Sequence, residues 1–380
     1  MHLRGEILII SSEYHPMPAA AASRVIPWVS VLESFCDNVT VLTSNNATKE
    51  KNNVERSFFS VPGNKTKLPF RLFQELLLGL DLGVRVFLKK DVRLCIITSP
   101  PFFMAFFCAL FSKLSSKNYI FDVRDRYPRV LGDLGVIKLT SLLGKVLINV
   151  ESWIYREALQ VTTVTNGLLE ELRNDFPKLR FNLLRNGFDE GIFDDEVLGT
   201  PKNSFFTVVY HGRLGRFYDL NSFIEVIKIL EKLDSGIKFL LIGDFPLKLM
   251  NLKVSNIKIL PMMELKDLSR NLAKCHLGIC LLKNLPAMKN AFPAKSYDFI
   301  GAGLPQIVGP VGEFCDKISE HKTGIVVKDI NPQEIAQRII SLKNDKHSLM
   351  EMRDNVLRIR KLFGRRGIAK TFFHSIETDI

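Results

Sequence analysis

The 380-residue sequence predicts an α/β fold made of two doubly wound domains, each a parallel sheet covered by helices, facing one cleft. Three observations predict it. Short β-branched or aromatic runs recur along the chain, each followed by a helical pattern. These runs show little polar alternation, as strands buried on both faces of a parallel sheet do. The series is interrupted near the middle by a turn-rich stretch and then begins again.

In order, the first half carries strands at 6–11, 39–43, 94–98, 118–122, 161–164 and 181–184. The interruption is 186–203, NGFDEGIFDDEVLGTPKN, with three glycines, a proline and an acidic cluster. Strands then resume at 206–211, 238–242, 257–260, 277–281, 306–308 and 325–327. The expected domains are 1–190 and 200–350. A helical segment, 351–380, is expected to cross back to the first domain. Its surroundings are basic, with nine Lys/Arg against three Asp/Glu between Lys343 and Lys370.

Composition narrows the function. With 46% hydrophobic and 24% charged residues, the chain is neither mostly disordered nor a polytopic membrane protein. A net charge of +12 favours phosphate-bearing ligands. That charge is spread over both halves without a groove-binding motif, so no nucleic-acid partner is expected. The six cysteines form no CxxC pair and the seven histidines are scattered, so neither a metal site nor a disulfide framework is expected. The apolar run 7–10 is too short for a signal-peptide core, and no stretch of about 18 apolar residues is present. The expected location is cytoplasmic.

Four loops carry groups suited to chemistry. Residues 12–24, SEYHPMPAAAASR, follow the first strand and open a helix. Small residues such as Ala20 and Ala21 allow close backbone approach, and Arg24 adds a charged donor; the alternative is an Ala-rich helix start. In 121–128, FDVRDRYP, Arg124, Asp125 and Arg126 crowd a strand end. Asp125 stays ionised there and can accept from a hydroxyl, or the cluster is a self-neutralising surface loop. In 210–220, YHGRLGRFYDL, Gly212 and Gly215 permit a tight turn, with Arg213 and Arg216 placed to meet a diphosphate. The fourth loop, 289–305, KNAFPAKSYDFIGAGLP, is the strongest. Pro293 suits the first helical position. The amides of Ala294, Lys295 and Ser296 then lack intrahelical partners. Lys295 places a cation against the helix dipole, which helix capping alone does not explain. Asp298, one turn on, tilts back toward the helix start, where a carboxylate can accept both hydroxyls of a ribose.

With these residues in view, the chain resembles the GT-B glycosyltransferases of family 4. Within that family it is similar to the bacterial branch that includes N-acetylfucosamine transferases of surface-polysaccharide synthesis, with O-antigen and capsule as their products. The resemblance spans nearly the whole chain. It rests on Tyr14-His15-Pro16 through Arg24, Arg124-Asp125-Arg126-Tyr127-Pro128, Asn186-Gly187-Phe188-Asp189, Gly212-Arg213-Leu214-Gly215, and Phe292-Pro293-Ala294-Lys295 through Pro305. It implies two Rossmann-like domains and transfer of a sugar from a nucleotide donor, with retention and without an obligatory metal or other cofactor. The donor would sit on the second domain and a glycan or lipid-linked glycan acceptor on the first.

By that resemblance Arg213, Arg216 and Lys295 hold the diphosphate, and Asp298 the ribose. Asn290 contacts the transferred sugar, and Met262 lies near the base, by family habit a uracil. Gly212, Phe292, Pro293 and Ala294 complete the donor site. Asp125 takes the place of a catalytic group near the acceptor, which Ala20, Ala21, Arg24, Arg124 and Arg126 would bind. The chain departs from the family's E-x7-E pattern, with Asn290 and Asp298 where both glutamates usually stand. It also has Ala19–Ala22 in place of loop glycines, Asp219 where relatives tend to have glycine, and Phe245 in place of a second glycine after Gly243.

The chemistry matches these residue types. Expelling a nucleoside diphosphate requires cations and backbone donors around the leaving group. Front-face attack, with the departing phosphate taking the acceptor proton, needs no enzymatic nucleophile. Residues 68–90, LPFRLFQELLLGLDLGVRVFLKK, combine a strongly apolar face with Arg71, Arg85, Lys89 and Lys90. They suggest peripheral attachment to an anionic membrane, at the inner face of the plasma membrane. The apolar stretch 101–111 is expected to be a core helix. Two other classes remain open: a non-hydrolysing UDP-sugar epimerase on the same fold, and a non-catalytic nucleotide-sugar-binding subunit.

Overall fold

The structure is a computed structural model that describes residues 3–15, 20–47, 53–63, 68–133, 135–215 and 217–376. The chain forms two compact units, Met1–Arg185 with Ile368–Ile380, and Asn186–Gly367. The segment 351–380, expected as one piece, is therefore divided between them.

In the first unit the order is β1 (Leu3–Ile10), α1 (Ala20–Leu32), β2 (Cys36–Thr43), β3 (Val54–Arg56), α2 (Leu68–Leu88), β4 (Val92–Ser99), α3 (Phe102–Leu114), β5 (Tyr119–Val123), α4 (Arg129–Asp133), α5 (Leu142–Glu157), β6 (Gln160–Thr163), α6 (Asn166–Asp175) and β7 (Phe181–Leu183). The sheet order is β3-β2-β1-β4-β5-β6-β7, with every pairing parallel. Twelve strands were legible in the sequence; β3 was not. It holds three half-buried residues at the sheet edge, two of them charged, and so gives no apolar run.

The stretch expected as a core helix is α3, which buries Phe102, Met104, Ala105, Cys108 and Ala109. Helix α2 lies close along it. A Cβ at Gly79 would fall 2.8 Å from the Phe103 carbonyl oxygen, and one at Gly83 2.5 Å from the Phe111 ring, so these two positions admit no side chain. On its other side α2 exposes Phe70, Phe73, Leu80, Val84, Phe87 and Leu88. Three of the four cations noted in 68–90 are paired within the protein. Arg71 pairs with Glu75, Arg85 with Asp81, and Lys89 with Glu6 and Glu55.

The second unit runs α7 (Asp195–Leu198), β8 (Phe206–His211), α8 (Leu220–Leu233), β9 (Ile237–Ile242), α9 (Leu247–Met250), β10 (Ile257–Leu260), α10 (Leu265–Ala273), β11 (Leu277–Leu281), α11 (Ala294–Gly301), β12 (Gln306–Gly309), α12 (Glu313–Glu320), β13 (Gly324–Val326), α13 (Pro332–Asn344) and α14 (Lys346–Ile359). Its sheet is also parallel, in the order β10-β9-β8-β11-β12-β13. The order reverses between β8 and β11, where loops leaving adjacent strands turn to opposite faces and open a crevice. Gly278 of β11 lets α11 settle on the sheet, since a Cβ there would meet the Phe299 ring at 2.6 Å.

The last helix, α15 (Arg365–Ser375), passes from one unit to the other. At its start, the amides of Arg366 and Gly367 donate to Glu190 (2.9 and 3.0 Å). Further along, Phe372 and Phe373 are buried in the core of the first unit, with Phe373 edge-on to Trp28 at 6.0 Å. Among the described residues no helix is long and apolar enough to cross a membrane.

Candidate active site

The first unit uses most of its expected ligand groups for its own structure. Arg24 is 3% exposed. Its Nε and Nη2 donate to the two oxygens of Asp122 at 2.9 and 2.7 Å, and Nη2 also reaches the Leu184 carbonyl (2.6 Å). Thr162 Oγ1 donates to the same carboxylate (2.7 Å). Arg126 is equally buried and meets Glu151, Glu171 and Asp175 at 3.3, 2.6 and 2.6 Å, tying α5 to α6. Both guanidiniums are thus engaged by carboxylates, which corrects the expectation that they bind an acceptor.

Arg124 is half-buried, and its Nε donates to Ser99 O (3.1 Å), joining the loops after β4 and β5. Asp125 is exposed beside it. Ala20 opens α1, and Ala21 is buried in that helix. Residues 16–19 of the first loop lie outside the described residues.

The second unit gathers its groups at the β8/β11 switch. Lys295 comes from the first turn of α11, Asp298 from one turn further on, and His211 from the end of β8. All three are buried, at 6% exposure each. The atoms Lys295 Nζ, Asp298 Oδ1 and His211 Nε2 have no hydrogen-bond partner among the described residues. Asp298 Oδ2 lies 3.6 Å from His211 Nε2. Unsatisfied buried polar atoms are costly and rare, so three converging on one switch point mark a place built for a ligand.

Electrostatics agree with the geometry. Burial, reinforced by Lys295, pushes the His211 imidazole down to about 3, so it is neutral. Burial brings the Lys295 ammonium down to about 7, against the upward pull of Cys280 and Asp298. Burial lifts the Asp298 carboxyl to about 7, offset in part by the cation of Arg365. Arg365 has a buried Nη1 without a partner among the described residues. Anionic and hydroxylated ligands would relieve all of these groups.

The lysine is held by aromatic rings. Its Nζ stands 3.6 Å from the centroid of Tyr210 and 3.9 Å from that of Tyr218. The two rings meet at 88° with centroids 5.8 Å apart, so the ammonium sits in their corner. Tyr210 OH donates to Arg213 O (3.0 Å). Tyr218 is pinned by an antiparallel bridge to Leu282 and by Lys283 N donating to Phe217 O (2.8 Å).

Gly212 has φ +86°, and a Cβ there or at Gly215 would meet nothing within 4 Å, so this turn is open to a ligand. Gly243, φ +149°, packs beneath it; a Cβ there would lie 2.3 Å from Gly212 O. Arg213 is exposed, its Nε 4.0 Å from Asp244; Arg216 lies outside the described residues. Pro293 is the N-cap of α11 with extended ψ 140°, one position earlier than expected. As a result Ser296 N turns back to Pro293 O (3.0 Å), leaving the amides of Ala294 and Lys295 at the helix start. Phe292 stacks on Tyr297 (4.1 Å, 13°) and fixes the approach to the helix. Asn290 is half-buried just before it, and Met262 is 47% exposed after β10.

His211, Tyr210, Tyr218 and Arg365 were not among the expected site residues. The first three stood in the third loop's sequence, but only the adjacency of β8 and β11 brings them to Lys295. A separate cavity of about 410 Å³, near Phe205, Lys238 and Asn256, lies at the opposite ends of β8–β10, away from these groups.

Residues 194–358 match a family model described as "Glycosyl transferases group 1". No curated protein matches the chain in sequence. In fold the chain is similar to HepE of Anabaena, solved in complex with UDP-glucose, at 14% identity and a TM-score of 0.70 over 98% of this chain and 100% of that one. It is also similar to WaaG, a glycosyltransferase involved in lipopolysaccharide biosynthesis, at 13% identity and 0.68 over 97% and 99% of the two chains. A putative UDP-N-acetylglucosamine 2-epimerase from Listeria monocytogenes aligns at 12% identity and 0.60 over 99% and 97%. The architecture is therefore that of two Rossmann-like domains as in GT-B proteins. With a group 1 glycosyl transferase domain over residues 194–358, the chain is a glycosyltransferase.

Proposed function

We propose that the protein transfers a sugar from a nucleoside diphosphate sugar, a UDP-sugar, to a glycan or lipid-linked glycan, with retention and without a metal, in bacterial surface-polysaccharide synthesis. The observation that carries the donor assignment is the convergence of Lys295 Nζ, Asp298 Oδ1 and His211 Nε2, buried and unpartnered, beside the open turn at Gly212. Lys295 and the α11 amides meet the diphosphate, joined by Arg213 and Arg216, and Asp298 accepts from the ribose hydroxyls. Cations around the leaving oxygen lower the barrier to its departure. The diphosphate oxygen then takes the acceptor proton as the new bond forms on the same face, which accounts for retention. In this reading Asn290 contacts the transferred sugar, and Asp125, exposed in the first unit, is the catalytic group on the acceptor side. The UDP-glucose complex of HepE and the lipopolysaccharide role of WaaG support the donor and pathway class. The family 4 branch rests on the sequence motifs.

A panel of nucleoside diphosphates in thermal unfolding tests the donor. UDP at 100 times its dissociation constant should add about 2.7 kcal/mol, while no stabilisation by any nucleoside diphosphate removes the reading. The epimerase is the competing class, because its fold is also shared. Incubation with UDP-sugars and no acceptor should leave the sugar unchanged; an epimerised product would decide for the competitor.

We further propose that α2 rests on the inner face of the plasma membrane through Phe73, Leu80, Val84 and Phe87. Three of the four cations of 68–90 are engaged in ion pairs, so the contact is chiefly apolar and only weakly salt-dependent. Flotation with vesicles should be reduced by Phe73→Glu with Val84→Glu. Unchanged flotation of that variant, or none by the wild type, overturns the assignment.

A further inference from the structure

We infer that Tyr210 and Tyr218 form an aromatic cage that positions the Lys295 ammonium for the donor diphosphate without using its N–H donors. The inference rests on the donor reading above and assigns two positioning residues to it. A carboxylate facing a lysine would hold the cation but would also accept its hydrogen bonds and cancel its charge. A ring face attracts the cation through its quadrupole and accepts no conventional N–H bond. At 3.6 and 3.9 Å from the two centroids, Nζ is held on two sides and has no hydrogen-bond partner among the described residues. No N–H donor is therefore spent on a protein acceptor, and those not facing the rings stay available for phosphate oxygens.

The cage is tied to the phosphate loop as well. Tyr210 OH donates to Arg213 O at 3.0 Å, and Tyr218 is fixed by the bridge to Leu282 at the end of β11. The two rings therefore connect the β8 turn, the β11 exit and the first turn of α11. A donor that draws Nζ forward moves it along the ring faces rather than out of an ion pair.

The test is a double-mutant cycle read by calorimetry with UDP and with uridine. Tyr218→Leu should weaken UDP binding roughly tenfold and leave uridine binding unchanged, because uridine carries no phosphate for Lys295 to meet. Tyr218→Phe keeps the ring and should restore most of the UDP affinity. In a Lys295→Met background, Tyr218→Leu should have no further effect on UDP. Additive losses in the cycle, equal losses for UDP and uridine, or failure of Tyr218→Phe to rescue would each overturn the cage. If wild-type protein does not bind UDP at all, the donor reading itself falls, which is a distinct outcome. Circular dichroism of each variant separates misfolding from a lost contact, and Tyr218→Phe supplies the test where Tyr218→Leu does not fold.

Discussion

Lys295→Met should make the ligand-free protein more stable while abolishing its response to UDP. Burial brings the ammonium from the usual 10.5 down to about 7. Between those values the folded state binds fewer protons than the unfolded one, so wild-type stability rises with pH across that window. Below about pH 7 the cost of the buried cation is fully present; above about pH 10.5 it is gone. Each unit corresponds to about 1.4 kcal/mol, so from pH 7 to pH 9 the wild type gains about 2–3 kcal/mol on a variant lacking the group. The cage offsets part of the cost at neutral pH, by about 2 kcal/mol for a desolvated cation–π contact.

The other groups facing Nζ do not reverse the sign. His211 is neutral at about 3, and Cys280, Tyr210 and Tyr218 are pushed up by burial and stay protonated through neutral pH. Asp298, near 7 with the ammonium present, rises further without it. That lowers the variant's stability as pH increases, in the same direction. Urea unfolding at pH 7 and pH 9, followed at the transition that UDP shifts in the wild type, should show the variant ahead at pH 7 and the gap closing by about 2–3 kcal/mol at pH 9. A gap independent of pH, or a variant less stable at both values, would refute the account of Lys295 as a strained buried cation.

Two further outcomes follow from the contacts. Gly243→Ala forces an L side chain into φ +149° and against Gly212 O at 2.3 Å; unfolding measurements should show a loss of about 1–3 kcal/mol, and calorimetry a weaker UDP affinity through the displaced turn. Arg24→Ala leaves the Asp122 carboxylate buried and unpaired, which should cost about 3–5 kcal/mol in the first unit while leaving the UDP dissociation constant unchanged.

The strand plan was legible because parallel strands are buried on both faces and announce themselves as continuous apolar runs. β3 escaped because three residues at a sheet edge bury too little to leave such a run. Lys295 was legible as an anomaly, a cation in a first helical turn where the dipole disfavours it. Its cage was not, since Tyr210 lies far from it in sequence and meets it only through strand order. The same blindness made Arg24 and Arg126 read as ligand groups. Arg24 pairs with Asp122 98 positions away, and Arg126 with carboxylates on two later helices, so a loop crowded with charge looked open when its partners were simply elsewhere in the chain.

The passage of α15 between the units has a consequence for biosynthesis. The stretch up to Arg185 leaves the ribosome well before Phe372 and Phe373, which fill its site against Trp28. At roughly 5–20 residues per second, the nascent amino-terminal portion waits about 10–40 s for the helix that completes it. During that interval its Trp28 side is bare, a natural target for chaperone capture. A chain truncated between Arg185 and Ile368 would be unable to seal itself, however intact its sheet.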